Sequence, residues 1–210
     1  MGKKVFVSHS HKDNDIVVTF VKDLLSVGLD VWVDLVGISS GNFMDRINAA
    51  LRESEWFVLM VTPHSLASDP VRMEVGAALN MAFSRELRAV IPFVGKPFDL
   101  ITMEPLWRPL HRYDAVEHGY TSAFRGLLNA LGKPAVTPLS IQTLGHDIQG
   151  IPLATPQDIQ KFQSENTLLR QVEAEALRPH PPAAPPAAAP KASPSSDAEI
   201  RDQLNLLFES

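Results

Sequence analysis

The stretch Trp56-Phe-Val-Leu-Met-Val-Thr62, followed shortly by Ser68-Asp-Pro-Val-Arg-Met-Glu74, decides the fold of this chain. The first segment is apolar almost throughout, which is typical of a strand buried on both faces of a parallel sheet. The second segment predicts the start of a helix, with Pro in its first turn. Glu74 is therefore expected near the carboxyl end of a buried strand, where open α/β sheets bind their ligands. A carboxylate near a helix start can also serve only to stabilise the helix dipole.

The same alternation of short apolar runs and longer helical patterns continues along the chain. The predicted strands are Lys4–Ser8, Asp30–Asp34, Trp56–Thr62, Ala89–Val94 and, as a short fifth strand, His111–Asp114. The predicted helices are Asp15–Val27, Phe43–Ser54, a segment from about Pro70 to Arg85, and Thr121–Leu131. This pattern predicts an α/β fold with a parallel sheet covered by helices on both faces. Pro92 predicts that the fourth strand has an interrupted ladder or lies near an edge.

The last third of the chain differs in character from residues 1–134, which we predict to form the α/β domain. Residues 135–178 form an extension with a helix at about 155–177, which either forms a short coiled coil or packs back onto the domain. Residues 179–196 are rich in Pro and Ala and predict an extended linker. Residues 197–210 carry an apolar stripe, which indicates a segment that docks into a partner protein or a disordered tail.

The composition argues against several classes of function. The 210 residues carry a net charge of −5 with scattered basic residues, so no surface for direct nucleic-acid binding is indicated. Cysteine is absent, which excludes disulfides and thiolate chemistry and fits a reducing compartment. The histidines show no metal-ligand spacing, and neither a signal peptide nor a run of about 20 apolar residues is found. The sequence therefore predicts a cytoplasmic protein without a metal site or a membrane span.

Three loops are predicted to meet at one edge of the sheet, because each follows the carboxyl end of a strand. Ser8-His-Ser-His-Lys-Asp13 combines hydroxyls, imidazoles and a lysine before a helix, which suits phosphate binding but also a polar surface turn. Leu35-Val-Gly-Ile-Ser-Ser-Gly-Asn-Phe43 ends in an aromatic residue, and the third loop is Ser68–Glu74. Trp32 is expected to be a core residue, and Asp34 is expected to cap the second loop.

A family resemblance follows from the order of these segments. Val5-Phe-Val-Ser-His-Ser-His-Lys-Asp13, Val31-Trp-Val-Asp34, Gly41-Asn-Phe-Met-Asp-Arg-Ile47 and Phe57-Val-Leu-Met-Val-Thr62, followed by Glu74, resemble a TIR (Toll/interleukin-1 receptor) domain of the bacterial type. The resemblance covers roughly residues 3–132. It implies a flavodoxin-like, five-stranded parallel sheet, which agrees with the pattern of strands and helices.

The resemblance also implies an activity, because catalytic TIR domains cleave NAD⁺ between nicotinamide and ribose, and some return a cyclic ADP-ribose. It places Glu74 at the position of their catalytic glutamate and Phe43 at that of an aromatic beside the nicotinamide. The further substrate contacts that it implies are Ser8, His9, Ser10, His11 and Ser68. NAD⁺ is then a substrate, and no cofactor is implied. Self-association through TIR domains and a role in bacterial antiphage defence are also implied.

A single carboxylate suits the cleavage of NAD⁺. Glycosidases usually need two carboxyl groups, because a sugar oxygen must be protonated before it leaves. The nicotinamide of NAD⁺ is already cationic and departs as a neutral molecule, so no general acid is required. One anion that orients the ribose and stabilises its oxocarbenium-like charge is then sufficient.

Two departures from the family pattern concern the site itself. Pro70 stands four residues before Glu74, where many catalytic members carry an aromatic residue or Cys. Because Pro suits a first helical turn, it predicts that the helix begins later and presents Glu74 early. Ser10 and His11 stand in the turn after the first strand, where some members carry arginines.

Two other functions remain open. A TIR scaffold or signalling interaction module would have no turnover, and the presence of Glu74 together with Phe43 and Ser68 weighs against it. A nucleoside deoxyribosyltransferase-like enzyme would also use a glutamate on a related sheet, but it would act on nucleosides.

Overall fold

Strands and helices alternate along the residues that the computed structural model describes, which are 4–35 and 43–176. The strands are β1 (Lys4–Ser8), β2 (Asp30–Val33), β3 (Trp56–Val61), β4 (Ala89–Val94) and β5 (Tyr113–Asp114). The helices are α1 (Asn14–Ser26), α2 (Phe43–Glu53), α3 (Pro63–Leu66), α4 (Asp69–Phe83), α5 (Ala115–His118), α6 (Tyr120–Ala130), α7 (Leu139–Leu144) and α8 (Pro156–Ala176). Residues 36–42 of the predicted Leu35–Phe43 loop lie outside the described residues. The same holds for the predicted linker at 179–196 and the predicted segment at 197–210.

The strands form one parallel sheet in the order β2-β1-β3-β4-β5. Lys4 of β1 pairs with Asp30 of β2, and Val5 pairs with Trp56 of β3. This sheet confirms the predicted five-stranded α/β fold. Because the strands are parallel, the carboxyl ends of β1, β2 and β3 lie on the same edge of the sheet.

Helices cover both faces of the sheet, and the side chains of each strand alternate between two apolar clusters. Val5 and Val7 of β1 belong to the cluster that also contains residues of α1 and α6. Phe6 belongs to the cluster on the opposite face, with residues of α2 and α4, and it stacks on Trp32 with ring centroids 4.3 Å apart. The apolar character of these strands is therefore explained by burial on two sides.

Pro92 lies where the sequence predicted a weak part of the ladder. It is inside β4, with Leu59 of β3 as its partner. On the other side, the two residues of β5 pair only with Phe93 and Val94. On the β5 side, Pro92 therefore has no strand partner, which agrees with the prediction that it lies near an edge of the ladder.

The region between β3 and Glu74 differs from the prediction. A short helix, α3, follows β3 directly, because Thr62 caps it and Ser65 returns the capping hydrogen bond. The next helix starts where it was predicted, at about Pro70. α4 begins at Asp69, with Pro70 in its first turn, where a missing N–H does no harm. Glu74 consequently lies in the second turn of α4.

The first part of α8 packs against the α/β domain. Thr155 caps the helix, with its Oγ1 accepting a hydrogen bond from the backbone N–H of Asp158 at 3.1 Å. Ile159 and Phe162 pack against the cluster that contains α1 and α6. Lys22 of α1 forms an ion pair with Asp158 at 3.0 Å. These contacts correspond to the predicted arrangement in which this helix packs back onto the domain.

Within residues 4–35 and 43–176, no helix combines the length and apolar character needed to cross a membrane.

Candidate functional site

A cavity of about 450 Å³ lies at the carboxyl edge of the sheet. Its walls come from the turn after β1, the end of β2 and the first turns of α4. The lining residues are Val7, His9, Ser10, His11, Lys12, Trp32, Asp34, Ser68, Pro70 and Glu74. The structure thus brings together five predicted site residues, namely His9, Ser10, His11, Ser68 and Glu74. The side chain of Phe43 lies outside the described part of the chain.

Glu74 is held against the end of β1 by Ser8. The Ser8 hydroxyl is buried and donates a hydrogen bond to Oε2 of Glu74 at 2.5 Å. Val71 and Ala78 of α4 are buried. Because Glu74 is three residues after Val71 and four before Ala78, it lies on the same face of the helix. The carboxylate is therefore directed at the sheet edge rather than at bulk solvent, and it is partly buried.

The environment of Glu74 raises the pKa of its carboxyl group to about 7. Burial is the main cause, since it disfavours the charged form. The hydrogen bond from Ser8 acts in the opposite direction, and the negative charge of Asp34 raises the pKa further. At neutral pH the group is thus divided between acid and carboxylate, which is typical of functional carboxyl groups.

These opposing effects predict shifts of opposite sign in two variants. We expect Ser8→Ala to raise the pKa of Glu74, because it removes the hydrogen bond to the carboxylate. Asp34→Asn should lower it, because it removes a neighbouring negative charge. A ¹³C NMR titration of the Glu74 carboxyl group measures both shifts. A pKa that moves the same way in both variants would contradict this description of the site.

His9 is buried at the cavity wall and is neutral near pH 7. Burial is the main cause that lowers its pKa to about 4. Its Nε2 lies 2.9 Å from Oδ1 of Asn14, whose amide nitrogen donates to the Leu35 carbonyl at 3.0 Å. Since Oδ1 of Asn14 must accept, Nε2 of His9 carries the proton. His9 therefore offers shape and a ring edge to a ligand, but no positive charge.

Lys12 lines the cavity and is exposed. His11 donates from Nε2 to the carbonyl of Asp34 at 2.9 Å, so it connects the turn after β1 to the end of β2. Lys12 thus places a formal positive charge in the turn that was predicted to bind phosphate.

Five lining residues were not among the predicted site residues, and three of these five are charged or aromatic. These three are Lys12, Trp32 and Asp34. Lys12 lies in the turn already selected, so its charge was a usable signal. Trp32 is buried against Phe6 as predicted, yet it also lines the cavity. Asp34 was expected to be a loop cap, but it contributes negative charge to the environment of Glu74.

A buried carboxylate behind the cavity connects three loops at this edge. Asp13 is fully buried and accepts hydrogen bonds from Thr62 Oγ1 at 2.6 Å, His64 Nδ1 at 2.9 Å and Lys96 Nζ at 3.0 Å. Burial alone would raise the pKa of Asp13, but these donors together hold it below its usual value. Lys96 also contacts Asp15 at 3.3 Å. The turn after β1 is thus fixed to the segments that follow β3 and β4.

No group of His, Asp or Glu side chains that could hold a metal ion is found in the part of the chain that the structure describes.

Comparison with known proteins gives a family match. A family model described as "TIR domain" matches residues 5–128. Among solved structures, the activated Roq1 resistosome directly recognizing the pathogen effector XopQ (TIR domains) is similar at 20% sequence identity, with a TM-score of 0.38. That match covers 44% of this chain and 57% of the other chain. A search of curated proteins gives no match.

Proposed function

Because this chain belongs to the TIR domain family, we propose that it is an NAD⁺ nucleosidase. It would cleave the bond between nicotinamide and ribose and release nicotinamide with ADP-ribose or a cyclic isomer. The observation that carries the proposal is the pair of Ser8 and Glu74. A partly buried carboxylate, fixed at 2.5 Å by a hydroxyl, stands in the wall of a cavity at the sheet edge.

The leaving group explains why this carboxylate would suffice. Nicotinamide departs as a neutral ring, so the site needs no proton donor, and positive charge develops on the ribose. The Glu74 carboxylate would accept hydrogen bonds from the ribose hydroxyls and stabilise that charge. Its partial burial strengthens this effect, because water screens the charge less.

The other cavity residues would position the substrate. Lys12 and the backbone of the turn after β1 suit the diphosphate of NAD⁺, because they offer positive charge and N–H donors at a helix start. Trp32 offers an aromatic edge, and Phe43 remains our candidate for the contact with nicotinamide. Ser68 and Ser10 supply hydroxyls. The reaction would need neither a metal ion nor a cofactor, with NAD⁺ itself as the substrate.

The protonation state of Glu74 adds a pH dependence. The anion is the active form, so the rate should increase as the pH rises through about 7, where Glu74 loses its proton. The acceptor then determines the product, since water gives ADP-ribose and an internal hydroxyl gives a cyclic isomer.

Self-association forms part of the proposal. A second copy of the chain would bring its loop at residues 35–43 close to Glu74, which would complete the site on the nicotinamide side. Activity would then depend on protein concentration. We further propose a cytoplasmic role in antiphage defence, with residues 197–210 as a docking segment for a protein partner.

Parallel assays with two substrates distinguish the proposed enzyme from its alternatives. Concentrated protein is incubated with NAD⁺ and, separately, with a deoxynucleoside together with a second free base that can accept the deoxyribose. The released bases are quantified by chromatography. We expect nicotinamide from NAD⁺ and no base from the deoxynucleoside, because Lys12 in the cavity lining suits a diphosphate, which a deoxynucleoside lacks. Base release from the deoxynucleoside alone would favour a deoxyribosyltransferase, and no release from either substrate would favour a scaffold.

A further inference from the structure

The end of β2 is held by side chains from other parts of the fold. The Asp34 carbonyl accepts from His11, and the Leu35 carbonyl accepts from Asn14. Two further donors come from α8. Asn166 Nδ2 donates to the Val33 carbonyl at 3.1 Å, and Gln163 Nε2 donates to the Leu35 carbonyl at 3.0 Å. Three consecutive carbonyls, at residues 33, 34 and 35, are thus each bound by a side chain.

Their positions on α8 allow Gln163 and Asn166 to bind the backbone carbonyls at the end of β2 together. Gln163 and Asn166 are three residues apart, so they lie on one face of α8, and both are half-buried. The helix is fixed by other contacts, because Lys22 pairs with Asp158, and Phe162 packs against the core. The position of α8 therefore does not depend on the amide groups of Gln163 and Asn166.

β2 is one of the two edge strands of the described sheet, so its outer side has no neighbouring strand there. Edge strands have backbone groups without strand partners and are commonly covered by a helix or a loop. Asp34 lies between the two residues whose carbonyls α8 binds. Asp34 also lines the cavity that contains Glu74, and its negative charge acts on Glu74. The position of this second carboxylate is therefore connected to α8.

We propose that Gln163 and Asn166 are positioning residues, which hold the end of β2 and thereby fix Asp34 relative to Glu74. Both lie beyond residues 5–128, the part of the chain that matches the TIR family model. The extension thus supports the end of β2, which lines the cavity, although the extension itself does not line it. Its effect on NAD⁺ cleavage rests on the proposed function, whereas its effect on the two carboxylates does not.

The test combines substitutions in α8 with one at Asp34. Gln163→Leu with Asn166→Leu removes both donors, while Leu retains the volume and the helix propensity. We expect the pKa of Glu74, measured by ¹³C NMR, to fall from about 7 towards its value in Asp34→Asn, because Asp34 loses part of its support and then lies farther from Glu74 on average. When Asp34→Asn is already present, the α8 substitutions should not lower the pKa of Glu74 any further. That result would show that they act through Asp34.

Controls separate positioning from general damage. Gln160→Leu changes an exposed glutamine of the same helix and should leave the pKa of Glu74 unchanged. Gln163→Ala with Asn166→Ala repeats the test without added apolar surface. An unchanged pKa in both double variants would overturn the proposal, as would an equal fall in the Asp34→Asn background. Since these readouts need no turnover, a failure of NAD⁺ cleavage can be distinguished from a failure of positioning.

Discussion

Replacement of Asp13 by Asn is expected to lower the free energy of unfolding by about 3 kcal/mol, because it removes one partner of a buried ion pair. Asp13 is fully buried, and its two oxygens accept hydrogen bonds from Thr62, His64 and Lys96. Asn has one oxygen and no charge, so it cannot satisfy all three donors. The NH₂ group of the Asn side chain would face at least one of these donors and could not accept its hydrogen bond.

Urea denaturation of the wild type and the variant at pH 7 measures this loss. Asp15→Asn is the matched control, because Asp15 contacts the same Lys96 ammonium but is 36% exposed. Its effect should stay below about 1 kcal/mol, as for other solvent-screened pairs. Equal effects of the two substitutions would show that burial does not determine the contribution of Asp13.

Acid unfolding gives an independent check with a definite sign. The pKa of Asp13 is lowered in the folded state, so its stabilising contribution is present above the unfolded value of about 3.9. That contribution is lost as the pH falls through the lower, folded value. The wild type should therefore lose stability below about pH 4, and the loss should be smaller in Asp13→Asn. If the wild type and Asp13→Asn lost the same free energy of unfolding below about pH 4, the role assigned to Asp13 would be contradicted.

The strands could be predicted because each has local causes. The apolar runs at Lys4–Ser8, Trp56–Val61 and Ala89–Val94 need burial on two faces, and only a parallel sheet with helices on both sides supplies it. The α3 helix was missed although Thr62 and Pro63 form a usable start signal, because its four residues are too few to show a period.

The candidate site could be predicted only in part, since its geometry depends on distant partners. Glu74 and the turn after β1 were selected because both follow strand ends. The role of Asp13 could not be inferred, because its partners Thr62 and Lys96 lie 49 and 83 residues away. A charged turn of this kind resembles a solvated surface loop. The contribution of Asn166, 133 residues from Val33, was hidden for the same reason.

Replacement of Glu74 by Gln is expected to lower the rate of NAD⁺ cleavage at least about a hundredfold, the scale found when one electrostatic group is removed from an active site. Gln retains an oxygen that can accept the Ser8 hydrogen bond, so the position of the side chain is preserved. It lacks the charge that would stabilise the ribose. Because burial disfavours the charged form of Glu74, the neutral Gln should not reduce stability.

Glu86→Gln provides the matched control for this substitution. Glu86 is exposed and precedes β4, so it lies at the amino edge of the sheet, opposite the cavity. The same chemical change at that position should leave the cleavage rate unaltered. Coincident thermal unfolding curves for the two variants and the wild type would exclude a loss of folding as the cause.

The most direct measurement is the release of nicotinamide from NAD⁺ at pH 8, above the pKa of Glu74, by concentrated wild type, Glu74→Gln and Glu86→Gln. The account predicts steady release by the wild type and by Glu86→Gln, with Glu74→Gln near the background rate. Equal release by the wild type and Glu74→Gln, or no release by the wild type, would contradict it.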